Sequence, residues 1–150
     1  MARKSPNDVT ARAAIEGVGP LARRLNQAYT RLWHDQVHQD LTGPQFTVLT
    51  LLHLHGAMDQ RTLGNLAALD KSTAAPLLDR LQRRGLIHIA KDTSDRRRKL
   101  ITLTDAGRDS ATTLAPAVVT INTQILSGLS EAETGQFLSL LRRVIGDREQ

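Results

Sequence analysis

The spacing of apolar residues changes in the middle of this 150-residue chain, and the change restricts the folds available to it. Up to Gly85, apolar side chains recur every three to four residues, which is the period of an amphipathic helix. The stretches "LIHIAK" (86–91) and "KLITLT" (99–104) instead alternate with a period of two, as β-strands do. Helical spacing returns after Thr104. The sequence therefore predicts a mostly α fold interrupted by a small β hairpin.

Four helices are predicted before the hairpin. The first covers about residues 10–38, and Pro44 then suits the first turn of a second helix that ends at Gly56. Asp59 is predicted to N-cap the third helix and Ser72 the fourth, which ends at Gly85. The residues predicted to face the core of the second and third helices are Phe46, Leu49, Leu52, Leu63, Leu66 and Ala67.

Two further helices are predicted after the hairpin. Thr104 is placed to cap the first, and Pro116 should bend this helix without ending it, because the apolar pattern continues on both sides. Ser130 and Glu133 have the spacing of a capping box that begins the last helix.

This order of elements predicts a winged helix-turn-helix, in which two short helices are followed by a wing of two or three strands. Residues 41–104 are assigned to that lobe. The long helices at 10–38 and 105–146 are more apolar than the small lobe requires, and an amphipathic helix needs a packing partner. They are predicted to form the dimerisation layer of a homodimer, and residues 1–9 to form a flexible N-terminal tail.

Positive charge is concentrated in one segment. Residues 61–100 carry ten basic and four acidic side chains, whereas the other 110 residues carry ten basic and eleven acidic ones. A localised excess of this kind is typical of a surface that binds a polyanion, and double-stranded DNA is the partner that fits a winged helix.

Several classes of protein are disfavoured by what the sequence lacks. It has no cysteine, no glycine-rich phosphate loop and no serine in a nucleophile-elbow context, so neither an enzyme nor a bound cofactor is expected. It has no apolar run of about 18 residues and no secretory signal, so we expect a cytoplasmic protein without a membrane partner.

The ordered set of motifs resembles the MarR-type transcriptional regulators, over roughly residues 18–146. The matching stretches are "LTGPQFTVLTLLHLHG" and "RTLGNLAALDKSTAAPLLDRLQRRGLIHIAKDTSDRRRKLITLTDAG". The most specific part is the coupling of "LDRLQRRGLI" to "DTSDRRRKLITLTDAG" at a fixed distance.

The resemblance implies that the fourth helix is the recognition helix in the major groove. Many relatives have a DNA-contacting arginine where this chain has Pro76, so Arg80 or the wing is expected to supply more of the binding. Ser72 either contacts phosphate or only caps the helix. The residues predicted to take part in DNA binding are Arg61, Lys71, Ser72, Thr73, Arg80, Asp95, Arg96, Arg97 and Arg98.

The arginines at the hairpin tip are predicted to enter the narrow minor groove of A·T-rich DNA, with Arg96 or Arg97 as the inserting residue. By resemblance to the family, Asp95 is expected to pair with Arg96 or Arg98 and so to orient the wing. The alternative is that the run is only a solvated turn.

Regulators of this type commonly bind a small effector between their two layers. An aromatic carboxylate is the candidate ligand here, because it would use both ring stacking and pairing of its charge with an arginine. The residues proposed for that site are Arg23, Arg24, Tyr29, Trp33, His34 and His53, although the aromatic residues would equally fit a helical interface. His34 and His38 also have a spacing that can bind metal, but no acidic residue or cysteine completes a site, and no metal is predicted.

These observations predict a homodimeric DNA-binding repressor that is released by its effector from a pseudo-palindromic operator, with half-sites about one helical turn apart. The alternatives are an architectural DNA-binding protein without an effector and a metal-responsive regulator.

Overall fold

The computed structural model describes residues 6–37, 40–93, 95 and 98–146. Its architecture is mostly helical with one small sheet, as the apolar spacing predicts. In chain order the elements are α1 (Pro6–Ile15), α2 (Val18–Gln36), α3 (Gly43–His55), β1 (Met58–Asp59), α4 (Gln60–Leu66), α5 (Lys71–Arg83), β2 (Ile87–Lys91), β3 (Lys99–Leu103), α6 (Asp105–Ile125) and α7 (Glu131–Ile145).

The chain divides into two compact units. The central unit is Gln36–Val119 and holds α3, α4, α5, the sheet and most of α6. The terminal unit combines the chain up to Asp35 with the chain from Thr120 onwards, so it holds α1, nearly all of α2, the end of α6, and α7.

The first helix predicted from the sequence, at 10–38, is in fact two helices. α1 ends at Ile15 and α2 begins at Val18, with a bend at Glu16 and Gly17. The physical reason is Pro20, whose nitrogen has no hydrogen to donate to the Glu16 carbonyl and whose ring would clash with it in a continuous helix. In the first turn of a new helix, proline removes no intrahelical hydrogen bond, because the amides there have no acceptor within the helix.

The start of α3 is defined by its cap. Thr42 and Gln45 form a capping box, in which the Thr42 hydroxyl accepts from the Gln45 amide at 3.4 Å and Gln45 Oε1 accepts from the Thr42 amide at 2.9 Å. Pro44 lies in the first turn, and Gly56 ends the helix with φ of 79°, a left-handed conformation that favours glycine. Both of these ends agree with the sequence prediction.

The wing is part of a three-stranded antiparallel sheet in the order β1-β3-β2. β2 and β3 form the predicted hairpin, in register Ile89 opposite Ile101. β1 is a two-residue strand that pairs with the other edge of β3, placing Asp59 opposite Leu100. The beginning of α4 is therefore joined to the wing through the sheet.

One fully buried cluster from α3, α4, α5 and β3 forms the core of the central unit. Its members Leu49, Leu63, Leu81 and Ile101 are at most 1% exposed. The prediction that Leu66 also faces this core was wrong, because its residue surface is 53% exposed. α4 has only two turns and ends at Leu66. Leu63 is the leucine of this helix that packs into the core.

α6 begins where Thr104 joins it to the end of α5. The Thr104 hydroxyl accepts from the Gly107 amide at 3.1 Å and donates to the Gly85 carbonyl at 2.7 Å. This confirms Thr104 as a cap, and α6 continues through Pro116. α7 begins at the predicted capping box of Ser130 and Glu133.

The terminal unit leaves apolar side chains exposed. Val18 is 74% exposed on α2, whereas Val144 and Ile145 on α7 are 71% and 63% exposed, and α7 has no buried residue. The other large apolar side chains exposed on these two helices are Leu21, Leu25, Leu140 and Leu141.

Candidate nucleic-acid interface

The residue that caps α5 is Asp70, and the prediction that Ser72 is the cap was wrong. Asp70 Oδ1 accepts the Thr73 amide at 2.7 Å and the Ser72 hydroxyl at 2.7 Å. These bonds stabilise the ionised carboxylate and hold the pKa of Asp70 below its usual value, with the Ser72 hydroxyl as the largest cause. The Ser72 hydroxyl therefore already donates a hydrogen bond within the protein, and its oxygen remains available as an acceptor.

α5 starts earlier than a Ser72 cap would allow, and it continues through Pro76 to Arg83. Lys71, Ser72 and Thr73 form its exposed first turn. Pro76 is also exposed, on the side of the helix opposite the buried Leu77 and Leu78. Pro76 therefore does not delay the start of α5.

Arg80 lies at the other end of α5, about 13 Å along the helix axis from Lys71. It borders a cavity of about 420 Å³ together with Arg83, Arg84 and the segment that leads into α3. Arg84 donates to the Asp40 carbonyl, and Arg83 pairs with Asp79 at 2.6 Å. Arg80 thus belongs to a basic cluster at the end of α5, separate from the residues at its start.

The turn of the wing is closed by backbone bonds around Arg98. The Asp92 amide donates to the Arg98 carbonyl at 3.0 Å, and the Arg98 amide donates to the Asp95 carbonyl at 2.9 Å. Arg96 and Arg97, the predicted inserting residues, lie outside the described residues. Whether Asp95 pairs with Arg96 accordingly stays a prediction.

The side chain of Arg98 contacts Asp59, the N-cap of α4. Its Nη2 lies 2.9 Å from Asp59 Oδ2, and the two side chains are 53% and 21% exposed. The contact with Asp59 arises because β1 brings this residue beside the start of β3. The pairing of Asp95 with Arg96 or Arg98 stays a prediction. The pKa of Asp59 is lowered to about 2, most strongly by the Thr62 amide and hydroxyl and also by Arg98.

An open groove of about 740 Å³ runs between the start of α4 and the wing. Its lining is rich in donors and carries three basic side chains with one carboxylate. A second depression, of about 410 Å³, continues from Arg61 to Lys71 at the start of α5. The groove is lined by Asp59, Gln60, Arg61, Thr62, Asn65, Arg98 and Lys99.

The fold therefore brings together some of the residues that were predicted to bind DNA. Arg61 borders both depressions and links Lys71 to Arg98, whereas Arg80 lies elsewhere. Gln60, Asn65 and Lys99 also line the groove, although they were not among the residues predicted from the sequence. Lys99 follows directly on the arginine run and could have been found there, but no local pattern marks Gln60 or Asn65, whose position depends on the folded α4.

The residues proposed for an effector site occur in both units. In the terminal unit, the rings of Tyr29 and Trp33 stack with centroids 6.3 Å apart, Trp33 is buried, and burial raises the pKa of the Tyr29 phenol. Arg23, Arg24 and His34 are exposed on α2. In the central unit, His53 is exposed on α3, with its Nδ1 3.4 Å from Arg108 Nη1.

The described residues form neither a metal-binding cluster nor a helix that could span a membrane. No three His, Asp or Glu side chains come together there in a metal-binding arrangement; His38 lies outside these residues. No described helix is long and apolar enough to cross a bilayer.

Comparison with known proteins agrees with this geometry. Residues 41–99, which include α3, α4, α5 and β2, match the sequence model of the MarR family. The HTH-type transcriptional repressor NicR of Pseudomonas putida is 31% identical over 146 residues, covering 97% of this chain and 92% of NicR. This chain belongs to the MarR family. It is a transcriptional regulator of winged-helix fold, and its relatives are regulators rather than enzymes.

Two solved MarR-type structures are similar over nearly the whole chain. The PcaV regulator of Streptomyces coelicolor, in complex with its natural ligand, is 38% identical with a TM-score of 0.84, covering 99% of this chain and 100% of PcaV. BpsR of Bordetella bronchiseptica, whose DNA binding is regulated by 6-hydroxynicotinic acid, is 32% identical with a TM-score of 0.83, covering 90% and 96%.

Proposed function

We propose that this MarR-family chain is a homodimeric repressor that binds a pseudo-palindromic operator and is released from it by a small aromatic carboxylic acid. The observation that carries the proposal is the basic groove that connects Arg61, Lys71 and Lys99 across α4, α5 and the wing. Lysine and arginine neutralise DNA phosphates, and their binding releases condensed counterions.

The division of roles follows from where each side chain lies. Lys71 and Thr73 are at the exposed start of α5, the position from which a recognition helix reaches base edges and phosphates in the major groove. Arg61 neutralises a neighbouring phosphate. The wing, which also carries Asp95, places either Arg96 or Arg97 in the minor groove. Arg80 contacts the DNA backbone at a separate point, through the cluster at the end of α5.

Ser72 has a smaller role in this proposal. Its hydroxyl donates to Asp70, so it supports the cap of the recognition helix and offers DNA only an acceptor. Pro76 occupies the exposed face of α5 with an apolar ring, which contacts bases without hydrogen bonds. Sequence readout therefore depends on the first turn of α5 and on the wing.

The dimer is formed by the terminal helices. The exposed apolar side chains of α2 and α7 lose contact with water when a second subunit covers them. The helices at 10–38 and 105–146 are proposed to form this layer. The predicted tail at 1–9 was wrong for residues 6–9, because α1 begins at Pro6.

An aromatic carboxylate is the proposed effector class because it uses both ring contacts and a positive charge. The stacked Tyr29 and Trp33 offer the rings, and Arg23, Arg24 and His34 in the same unit are the candidate polar partners. The regulation of BpsR by 6-hydroxynicotinic acid supports this class. Binding would favour a state of the dimer with lower affinity for DNA.

The test is to select bound fragments from genomic DNA with the purified protein, and then to titrate one fragment with benzoate and 6-hydroxynicotinate. The proposal expects a footprint with two half-sites, and release by at least one acid. A variant with Arg61→Ala and Lys71→Ala should lose binding, whereas Arg142→Ala on α7 is the control for loss of an exposed cation. Tight binding without release by any such acid would favour an architectural protein.

A further inference from the structure

The carboxylate of Asp59 joins two elements that are far apart in the sequence. Its Oδ1 accepts the amides of Arg61 and Thr62 at 3.0 and 3.1 Å, which caps α4. Its Oδ2 accepts the Thr62 hydroxyl at 2.8 Å and Arg98 Nη2 at 2.9 Å. Oδ1 therefore caps α4, and Oδ2 binds Arg98 at the base of the wing.

The amide, carbonyl and guanidinium groups of Arg98 each have a hydrogen-bond partner. Its amide and carbonyl close the turn of the wing through Asp95 and Asp92, and its guanidinium reaches Asp59 across the edge of the sheet. It directly precedes β3 and directly follows Arg96 and Arg97, one of which is proposed to enter the minor groove. These contacts therefore fix the backbone direction at the point where the turn of the wing meets β3.

The pairing also changes the charge that the groove offers to DNA. The charge of Arg98 is balanced by Asp59 at 2.9 Å, while Arg61 and Lys99 remain as the other cations of the same groove. A guanidinium held by a carboxylate would have to give up that bond to contact phosphate.

We infer that Asp59 and Arg98 are positioning residues, which fix the wing against α4 so that Arg98 raises operator affinity through Asp59 and not by touching DNA. This inference rests on the proposed function and deepens it. It removes Arg98 from the predicted DNA contacts. It also makes operator affinity depend on Asp59, an acidic residue that would not itself be expected to bind DNA.

The experiment is a double-mutant cycle on operator binding, measured by fluorescence anisotropy over a range of salt concentrations. The variants are Asp59→Asn, Arg98→Gln and the double variant. Asparagine remains a good N-cap, so Asp59→Asn removes the ion pair and keeps the α4 cap. Lys99→Gln is the matched control, since it removes a cation from the same groove without touching Asp59.

Each single variant is expected to weaken binding about two- to fivefold, as suits a partly exposed ion pair. The double variant should be no weaker than either single one, because the same contact is lost in all three. The slope of log K against log salt should stay at the wild-type value in Arg98→Gln. Hydrogen exchange of the Asp92 and Arg98 amides in the free protein should be faster in both single variants.

Two outcomes would overturn the positioning role while leaving the proposed function intact. One is a salt slope that falls by about one in Arg98→Gln, which indicates a direct phosphate contact. The other is unchanged or tighter binding by Asp59→Asn. A wild-type protein that bound no DNA fragment would instead overturn the proposed function, and this inference with it.

Discussion

Gly107, in the first turn of α6, lies against the backbone carbonyl of Leu86, so closely that a Cβ on Gly107 would overlap that oxygen. The same Cβ would lie 2.8 Å from Leu103 Cδ1. The Leu86 carbonyl also accepts the Thr104 amide at 3.2 Å, so it cannot move away without breaking that bond. The close approach of α6 to the sheet therefore requires glycine at this position.

Gly107→Ala should lower the free energy of unfolding by about 1–3 kcal/mol, the usual cost of forcing an extra carbon into a packed site. Chemical denaturation followed by circular dichroism measures this. Gly135→Ala is the matched control, because nothing lies within 4 Å of a Cβ there and alanine is the better helix former within α7. Equal stability of the two variants would contradict the proposed close approach.

The low pKa of Asp59 makes stability depend on pH. Because its pKa is about 2 when folded and near 3.8 when unfolded, its contribution is fully present above about pH 5 and is lost as the pH falls toward 2. Thermal melts of wild type and Asp59→Asn should therefore differ at pH 6 and converge between pH 4 and pH 2. A difference in midpoint that stays constant over this range would show that the carboxylate is not held in its ionised form.

The caps show what local sequence can predict. Thr42 was not foreseen, but Asp59, Thr104 and Ser130 cap their helices as predicted, because a cap depends on a side chain and an amide only two or three residues apart. The cap of α5 was misassigned because both Asp70 and Ser72 are good caps, and only the folded geometry distinguishes them.

Contacts between distant residues could not be predicted in the same way. Asp59 and Arg98 are 39 positions apart, and they meet because β1, a strand of two residues, pairs with β3. Two residues are too few to give an alternating pattern. The groove from Lys71 through Arg61 to Lys99 depends on the same pairing, so the sequence identified most of its cations but not their arrangement.

Charge on the exposed apolar face of α7 should prevent dimerisation. Val144→Glu with Ile145→Glu is expected to raise the dissociation constant of the dimer on the order of tenfold or more, since a buried unpaired charge is costly at an interface. Sedimentation velocity over a dilution series measures it, and Ser139→Glu, an exposed polar position on the same helix, is the control. An unchanged dimer in the double variant would place the interface elsewhere.

Trp33 provides a direct optical test for the effector, because it is the single tryptophan of the chain and stacks on Tyr29. Titration with 6-hydroxynicotinate should change its emission and raise the melting temperature, since a ligand that binds the folded state stabilises it. Arg23→Ala and Arg24→Ala, separately or together, should weaken the response, with Arg31→Ala on the same helix as the control. A response that is identical in all variants would exclude these arginines as carboxylate partners.

The salt dependence of operator binding tests the central claim most directly. Log K for a selected operator should fall linearly with log salt, and replacing both Arg96 and Arg97 by alanine should reduce the slope by about two if each arginine neutralises one phosphate charge. Lys71→Ala should reduce it by about one. Binding that is insensitive to salt, or the wild-type slope in all of these variants, would contradict the assignment of the groove and wing as the DNA-binding surface.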